Sequence, residues 1–264
     1  MNSNKHRHYS GFDSLAPEYD RSFSHTLFGR ILRERFSETT RPYVQPGSLI
    51  LDLGCGTAED ASYFAGKNIR ITGMDNSAGM LQIARMKNIK GASFVQSSLH
   101  RKLCFQAESF DAVYSHLGAF NCVPPEKHPV AELHRILKPD GYLILSLMNR
   151  VYLLEILMYL LLFSPSRAFR RFGAQPVDVH VSNAIVPVWY PRLGILKENY
   201  KSYFDTLEII AQPVVIPPPA FTNRFSADSI MTRILKKIDD TICRLPGVRM
   251  LGDHVILILR RKNI

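Results

Sequence analysis

The sequence predicts an α/β protein built on a largely parallel sheet, because short apolar runs recur along the chain, helical patterns separate them, and turn residues mark the joins. Strands that alternate with helices imply right-handed βαβ crossovers and therefore parallel neighbours.

The first run, Ser48 to Leu53, follows the turn pair Pro46-Gly47 and stops at Gly54, which reads as a buried strand. Ile69 to Asp75, Ala92 to Gln96, Phe110 to Ser115 and Tyr142 to Met148 repeat the pattern. Between them, Ser77 to Lys87 reads as a helix with Ser77 as N-cap ahead of Met80, Leu81 and Ala84. Pro125 to Leu137 reads as a second helix, ending in a Lys138-Pro139-Asp140-Gly141 turn. Upstream, Leu27, Phe28, Ile31, Leu32 and Phe36 have helical spacing, so they form a packing face and one side of a pocket. After Met148 the rhythm breaks into an apolar helix, a basic stretch and a segment with Pro187, Trp189, Tyr190 and Pro191, which reads as an insertion. Strands resume at Thr206 to Ile216 and His254 to Arg260, around a helix near Ala227 to Cys243. The last strand is apolar at successive positions and is expected to be buried on both faces. Pro217-Pro218-Pro219 reads as a rigid connector.

At 264 residues the chain suits one large domain, and no repeat or low-complexity segment interrupts it. The net charge of +10 favours anionic surfaces, nucleic acid or acidic lipid, without choosing between them, and part of it is expected to be plain solvated surface. Cys55, Cys104, Cys122 and Cys243 form no CxxC pair and have no zinc spacing, so neither a disulfide framework nor a metal site is expected. Met1 to Ser10 is polar and basic, unlike a secretory signal, and a cytoplasmic protein is expected.

The chemistry concentrates at Asp52 to Ala58 (DLGCGTA), between a strand and a helix. Glycines there let backbone approach a ligand closely and leave amides pointing outward. A dinucleotide fingerprint would want Gly or Ala at position 59, where Glu59 would repel a pyrophosphate. Some twenty residues on, Asp75 ends the second strand, where a carboxylate can accept both hydroxyls of a ribose or simply cap a turn. Its position relative to Gly54 favours the ribose, and the two motifs together indicate a nucleoside without pyrophosphate.

These residues resemble the class I S-adenosylmethionine-dependent methyltransferases, in particular the small-molecule branch that includes ubiquinone and menaquinone biosynthesis enzymes. Leu51 to Ala58 is similar to that family's glycine-rich first motif, Gly73 to Leu81 to its second, Phe110 to Val123 to its fourth-strand region and Glu132 to Ser146 to its fifth. The resemblance implies a Rossmann-like, seven-stranded, mostly parallel sheet with an antiparallel last strand, helices on both faces and a lid insertion. It divides one domain into an N-terminal helical cap (1–46), a donor-binding core (47–148), a lid or acceptor insertion (149–205) and C-terminal strands with a helix (206–264). It implies S-adenosylmethionine as donor and no metal. Gly54, Cys55 and Gly56 would hold the methionine moiety, Asp75 the ribose, Asn76 and Met80 the adenosine, Ser98 and Leu99 the adenine, with Asp52 also among the cofactor-binding residues. His116 and Leu117 would lie under the sulfonium, and Ala16 to Asp20 would close over the donor with Tyr19 at the methionine head. Two positions depart from the family: Ala58 stands where a third glycine is usual, expected to be tolerated, and Ser98 where an Asp commonly binds the adenine.

Methyl transfer from a sulfonium is an in-line displacement that needs alignment more than acid or base. A hydroxyl acceptor gains from a base, and His116 is the first candidate, ahead of Tyr19 and Tyr190, the alternative being a histidine that only packs or hydrogen-bonds locally. Cys55 is expected to be a small packed residue. No Asn/Asp-Pro-Pro-Tyr/Phe motif follows the fourth strand, which disfavours nucleic acid as acceptor.

Val151 to Phe163 carries Glu155 as its only charge and is too short to span a bilayer. It reads either as a buried lid helix over the sheet, as short apolar runs usually are, or as a helix lying in an anionic interface, given Arg150, Arg167, Arg170 and Arg171. Trp189 and Tyr190 either wall an acceptor pocket or pack the insertion to the body. The expected function is methyl transfer to a small hydrophobic or aromatic acceptor, with oxygen slightly favoured, in contact with membrane if the helix is interfacial. An RNA-directed enzyme and an inactive donor-binding protein are the alternatives, and the oligomeric state is open.

Overall fold

A computed structural model describes residues 10–65, 67–222 and 229–264. The polar N-terminal stretch and the expected helix start at Ala227 lie outside the described residues for the most part. The core is a seven-stranded sheet of β1 (Leu49–Leu53), β2 (Arg70–Asp75), β3 (Ala92–Gln96), β4 (Phe110–Ser115), β5 (Leu137–Met148), β8 (Phe204–Gln212) and β9 (His254–Arg261), in the order β3-β2-β1-β4-β5-β9-β8. β1 to β5 pair in parallel, and β9 runs antiparallel between β5 and β8. The strand order reverses between β1 and β4, the point at which open α/β sheets bind ligands beyond their strand carboxyl ends.

Two apolar layers cover the sheet. On one face, Leu133 and Ile136 of α5 (Val130–Ile136) and Leu196 and Tyr200 of α8 (Leu193–Tyr200) join Leu51, Leu53, Leu143 and Leu145. On the other, Phe36 of α2 (Leu27–Thr40), Ala61 and Phe64 of α3 (Glu59–Phe64) and Ala84 of α4 (Ala78–Met86) join Ile50, Tyr114, Ile144 and Ile256. α10 (Ile230–Ile242) docks on α2 through the buried Arg35–Asp239 pair at 2.9 Å, and Asp239 also accepts the amides of Val214 and Val215. β9 is buried on both faces, as its continuous apolar pattern predicts.

Several boundaries shift. α5 starts only at Val130, because Pro125–Lys127 forms a 3-10 turn and Pro129 supplies the cap position. Lys138 to Gly141 does not break the chain: β5 runs through it with a register irregularity, and Asp140 takes a positive φ of 59°. β8 stops at Gln212, where the next residue is Pro213, rather than reaching Ile216. Pro219 opens the short α9 (Pro219–Thr222), the helical position that tolerates proline.

The segment after β5 holds α6 (Leu153–Leu161), the short α7 (Pro165–Ala168) and an antiparallel hairpin of β6 (Val177–Val181) and β7 (Ala184–Val188). α8 lies within the expected insertion, yet its Leu196 and Tyr200 sit in the main core. α6 is not buried over the sheet: Leu153, Leu157, Leu160 and Leu161 are exposed, and Glu155 is its buried residue. Among the described residues no helix is long and apolar enough to cross a membrane.

Candidate active site

The glycine loop leaves β1 in left-handed geometry, with φ of 79° at Gly54, 52° at Gly56 and 62° at Ala58. A side chain on Gly54 would collide with Ala119, whereas one on Gly56 would meet no atom within 4 Å, so Gly56 borders open space at the switch point. The amides do not point outward as a phosphate-type loop would have them. Those of Gly54 and Cys55 donate to the Met74 carbonyl at 2.7 and 3.1 Å, and that of Gly56 donates to Asp75 Oδ2 at 2.8 Å. The loop therefore offers close backbone approach, its donors being spent on tying β1 to β2. Ala58 adopts a conformation that L-residues disfavour by about 1–2 kcal/mol, so the missing third glycine is felt by the backbone.

Asp75 also accepts the Ser77 amide at 2.8 Å through Oδ1, which leaves each carboxylate oxygen room for a further donor. Burial pushes its carboxyl above the usual range, against three backbone amides that lower it. Asn76 accepts from the Gln96 side chain through its carbonyl, Met80 is buried under the Ser77 cap, and Leu99 packs at the core margin. The Ser98 hydroxyl is partly committed, accepting the His100 amide at 3.2 Å. Cys55 is buried with its thiol pushed well up, mainly by burial, as suits a packed residue. Asp52 is fully buried, accepts the Tyr114 hydroxyl at 3.0 Å, and is pushed well up by burial and by Asp60.

The N-terminal helix α1 (Ser10–Tyr19) is clamped over this loop by polar contacts. Asp13 Oδ1 accepts from the Ser77 hydroxyl at 2.6 Å and from the Gly79 amide at 2.8 Å. Asp20 accepts from Thr57 Oγ1 at 2.6 Å and binds Lys87 at 2.7 Å, while Lys87 also binds Glu59. Glu59 therefore does not stand as a bare charge against phosphate. Asp20, His25 and Glu59 could share a cation, but the Lys87 ammonium already neutralises two of them. Tyr19, sensing Arg33, Asp60 and Asp75, is pushed up to about 12, chiefly by burial, so its hydroxyl stays protonated.

His116 is brought to the switch point but not left accessible. Its side chain is 1% exposed, its ring stacks on Phe36 at 4.0 Å, Nδ1 lies 3.0 Å from Asp60 Oδ2, and Nε2 lies 3.3 Å from Gln212 Nε2. Asp60 in turn binds Arg33 at 2.7 Å, and Arg33 together with His116 holds its carboxyl well below the usual range despite burial. Burial lowers the His116 pKa against the opposing pull of Asp60. The contacts fit a neutral ring that donates from Nδ1 to Asp60 and accepts at Nε2 from Gln212. The expected free base is thus a locked histidine: the local hydrogen-bonding alternative describes its geometry. Leu117 and Gly118 follow with φ of 56° and 83°, a left-handed pair in which the leucine carries the strain, just past the end of β4.

After the β6–β7 hairpin, Trp189 exchanges backbone and side-chain bonds with Asn121 at 2.7 Å, and the Tyr190 ring lies 5.2 Å from the Arg171 guanidinium. Sequence reasoning missed Asn121, whose fully buried amide also binds both backbone groups of Met148, at 2.8 and 3.0 Å. It missed Gln212 and Ser146 as well. Gln212 Oε1 and Ser146 Oγ are buried without a partner at the ends of β8 and β5, on the sheet face that carries His116.

Comparison with known proteins agrees with this geometry. Residues 51–145 match the methyltransferase domain family. The demethylmenaquinone methyltransferase of Listeria monocytogenes serotype 4a is 33% identical over 138 residues, 50% of this chain and 58% of that protein. The chain thus matches little more than half the length of its curated relatives. Among solved structures, a Thermotoga maritima S-adenosylmethionine-dependent methyltransferase, described as a possible histamine N-methyltransferase, superposes with a TM-score of 0.61 at 19% identity, covering 96% of this chain and 100% of that one. A putative S-adenosylmethionine-dependent methyltransferase from Listeria monocytogenes gives 0.60 at 15% identity, over 88% and 99%. The fold and the strand-end loop define a class I methyltransferase architecture. Within residues 51–145 the chain resembles S-adenosylmethionine-dependent methyltransferases, the demethylmenaquinone methyltransferases among them.

Proposed function

We propose that this chain transfers a methyl group from S-adenosylmethionine to a small hydrophobic or aromatic acceptor. The observation that carries the reading is Asp75, a carboxylate at the switch point with lone pairs to spare, fixed by the amides of Gly56 and Ser77 beside open space over Gly56. That set fits a ribose next to a backbone-lined cradle, and α1 folded over the loop would exclude water from it. The donor, when bound, supplies a methyl group on a positively charged sulfur. The protein's part is alignment: Gly54 to Gly56 allow close approach, Asp75 fixes the ribose, and Tyr19 contributes a neutral hydroxyl near the methionine head.

Because His116 is enclosed, it acts in this reading as a positioning residue that holds Asp60 and Gln212. An oxygen acceptor then has to ionise by itself, as a phenol or hydroquinone can. Gln212 Oε1 and Ser146 Oγ are as buried as His116 and belong with that enclosed polar cluster. Trp189 would line the apolar side of an acceptor pocket.

Calorimetric titration tests the donor first. Binding of S-adenosylmethionine and S-adenosylhomocysteine but not NAD is expected, with Asp75→Ala weakening it by about 1–3 kcal/mol. Binding of NAD alone would end this reading.

A further inference from the structure

The helix α6 is amphipathic the wrong way round for a protein surface in water. Its one charge, Glu155, is buried, and the carboxylate binds Arg170 at 2.6 Å and Arg171 at 2.9 Å. Arg171 continues inward to Asp253 at 2.7 Å and to the Asn149 carbonyl at 3.0 Å. This anchor fixes which side of α6 faces the body, and it turns the leucines outward. Exposure rises toward the C-terminal tip, to 79% at Leu161, 58% at Leu162 and 94% at Phe163.

The tip carries a second anomaly. The helix ends in a Schellman turn: the Ser164 amide donates to the Tyr159 carbonyl and that of Phe163 to the Leu160 carbonyl, both at 2.9 Å. The left-handed residue of such a turn is usually glycine, yet here it is Phe163, at φ 52°. A phenylalanine there strains the backbone and, being almost wholly exposed, packs against nothing that would compensate. Folding alone does not explain the choice. Beside the tip stand the exposed Arg167 and the half-exposed Arg170, on a chain of net charge +10.

We propose that Leu161, Leu162 and Phe163 insert into the interfacial layer of an anionic lipid bilayer, with Arg167 and Arg170 among the headgroups. Apolar area enters the acyl boundary, the guanidinium groups meet anionic lipid, and the helix is too short to go further. α6 follows directly from the carboxyl end of β5, the same end of the sheet as the glycine loop, so the helix starts from the site end of the molecule. The inference stands independently of methyl transfer, because its readout is lipid binding.

Co-sedimentation of the full chain with phosphatidylglycerol-containing vesicles and with pure phosphatidylcholine vesicles tests it. Binding to the first, markedly weaker binding to the second, and a loss of about tenfold or more in Phe163→Gly are expected. Phe163→Gly relieves the left-handed strain, so its thermal midpoint should hold or rise and misfolding cannot account for the loss. Arg167→Gln should weaken binding to anionic vesicles alone. Equal binding of wild type and Phe163→Gly, or no vesicle binding at all, overturns the proposal. So does a soluble dimer that Phe163→Gly dissociates while vesicles are ignored, which would assign the tip to a second copy.

Discussion

The ionisable residues in the buried face have their roles set by what surrounds them. His128 is held between the Tyr200 hydroxyl at 3.0 Å and the Phe120 carbonyl at 3.2 Å, and burial lowers its pKa to about 4. The folded state therefore keeps it neutral, while the unfolded chain takes up a proton below an ordinary value near 6.5. Its contribution is fully present above that value and is lost as pH falls from 6.5 to about 4, by about 3 kcal/mol in all. Denaturant titrations across that window should show this slope in the wild type and a shallower one in His128→Gln. Asp75 has the opposite character, a carboxyl raised by burial that must ionise to accept ribose hydroxyls. Donor affinity measured toward acid pH should accordingly fail above the ordinary carboxylate range; an affinity flat through that range would remove Asp75 from the site. At Ala58 two effects compete. Replacing it by glycine relieves about 1 kcal/mol of left-handed strain but removes a buried methyl worth about 0.8 kcal/mol, so stability should change little. Ala58→Val adds β-branching to the same strain in a site with no exposure, and should cost about 2 kcal/mol or more in thermal or denaturant unfolding.

At the scale of elements, the β6–β7 hairpin is joined to the sheet by side chains that belong to neither partner's periodic pattern. Asn121 ties the turn after β4 to the end of β5 and to the strand leaving the β6–β7 hairpin. Asn121→Ala would leave these buried backbone groups without partners, and a loss of about 3 kcal/mol or more is expected in the denaturant midpoint. Faster amide exchange at Met148 should accompany it, because that amide donates to the Asn121 side chain. A buried asparagine in a loop has no periodic signature, which is why only the folded contacts expose it. The strands and α4 were legible for the contrary reason: each has a local signal, the apolar runs for β1, β2 and β4, and the Ser77 cap that accepts the Met80 amide at 3.1 Å. The expected turn at Lys138 to Gly141 misled because Pro and Gly signal a break in isolation, while pairing with β4 before and after it holds the strand together.

At the scale of the whole molecule, α1 and the turn that follows it cover the glycine loop, through Asp13 on Ser77 and Asp20 on Thr57. A ligand that binds only this closed arrangement stabilises the fold by mass action, by about 2.7 kcal/mol at a hundredfold excess over Kd. Thermal unfolding with and without S-adenosylhomocysteine should show that increment, and limited proteolysis within α1 should slow in parallel. Unchanged cleavage of α1 on saturation would mean that its clamp is not coupled to the donor.

The parallel sheet, the glycine loop with Asp75 a strand later, and the doubly buried last strand are all readable along the chain, because backbone geometry and hydrophobic periodicity are local properties. Tertiary structure decided which groups meet. Asp60 and His116 are 56 positions apart and Arg35 and Asp239 are 204 apart, so the lock on the histidine and the docking of α10 arise only when the chain closes on itself. The outward turn of α6 was decided in the same way. An apolar run shows no preferred side until Glu155 finds Arg170 and Arg171, and desolvating that carboxylate requires the partners that only the folded chain supplies.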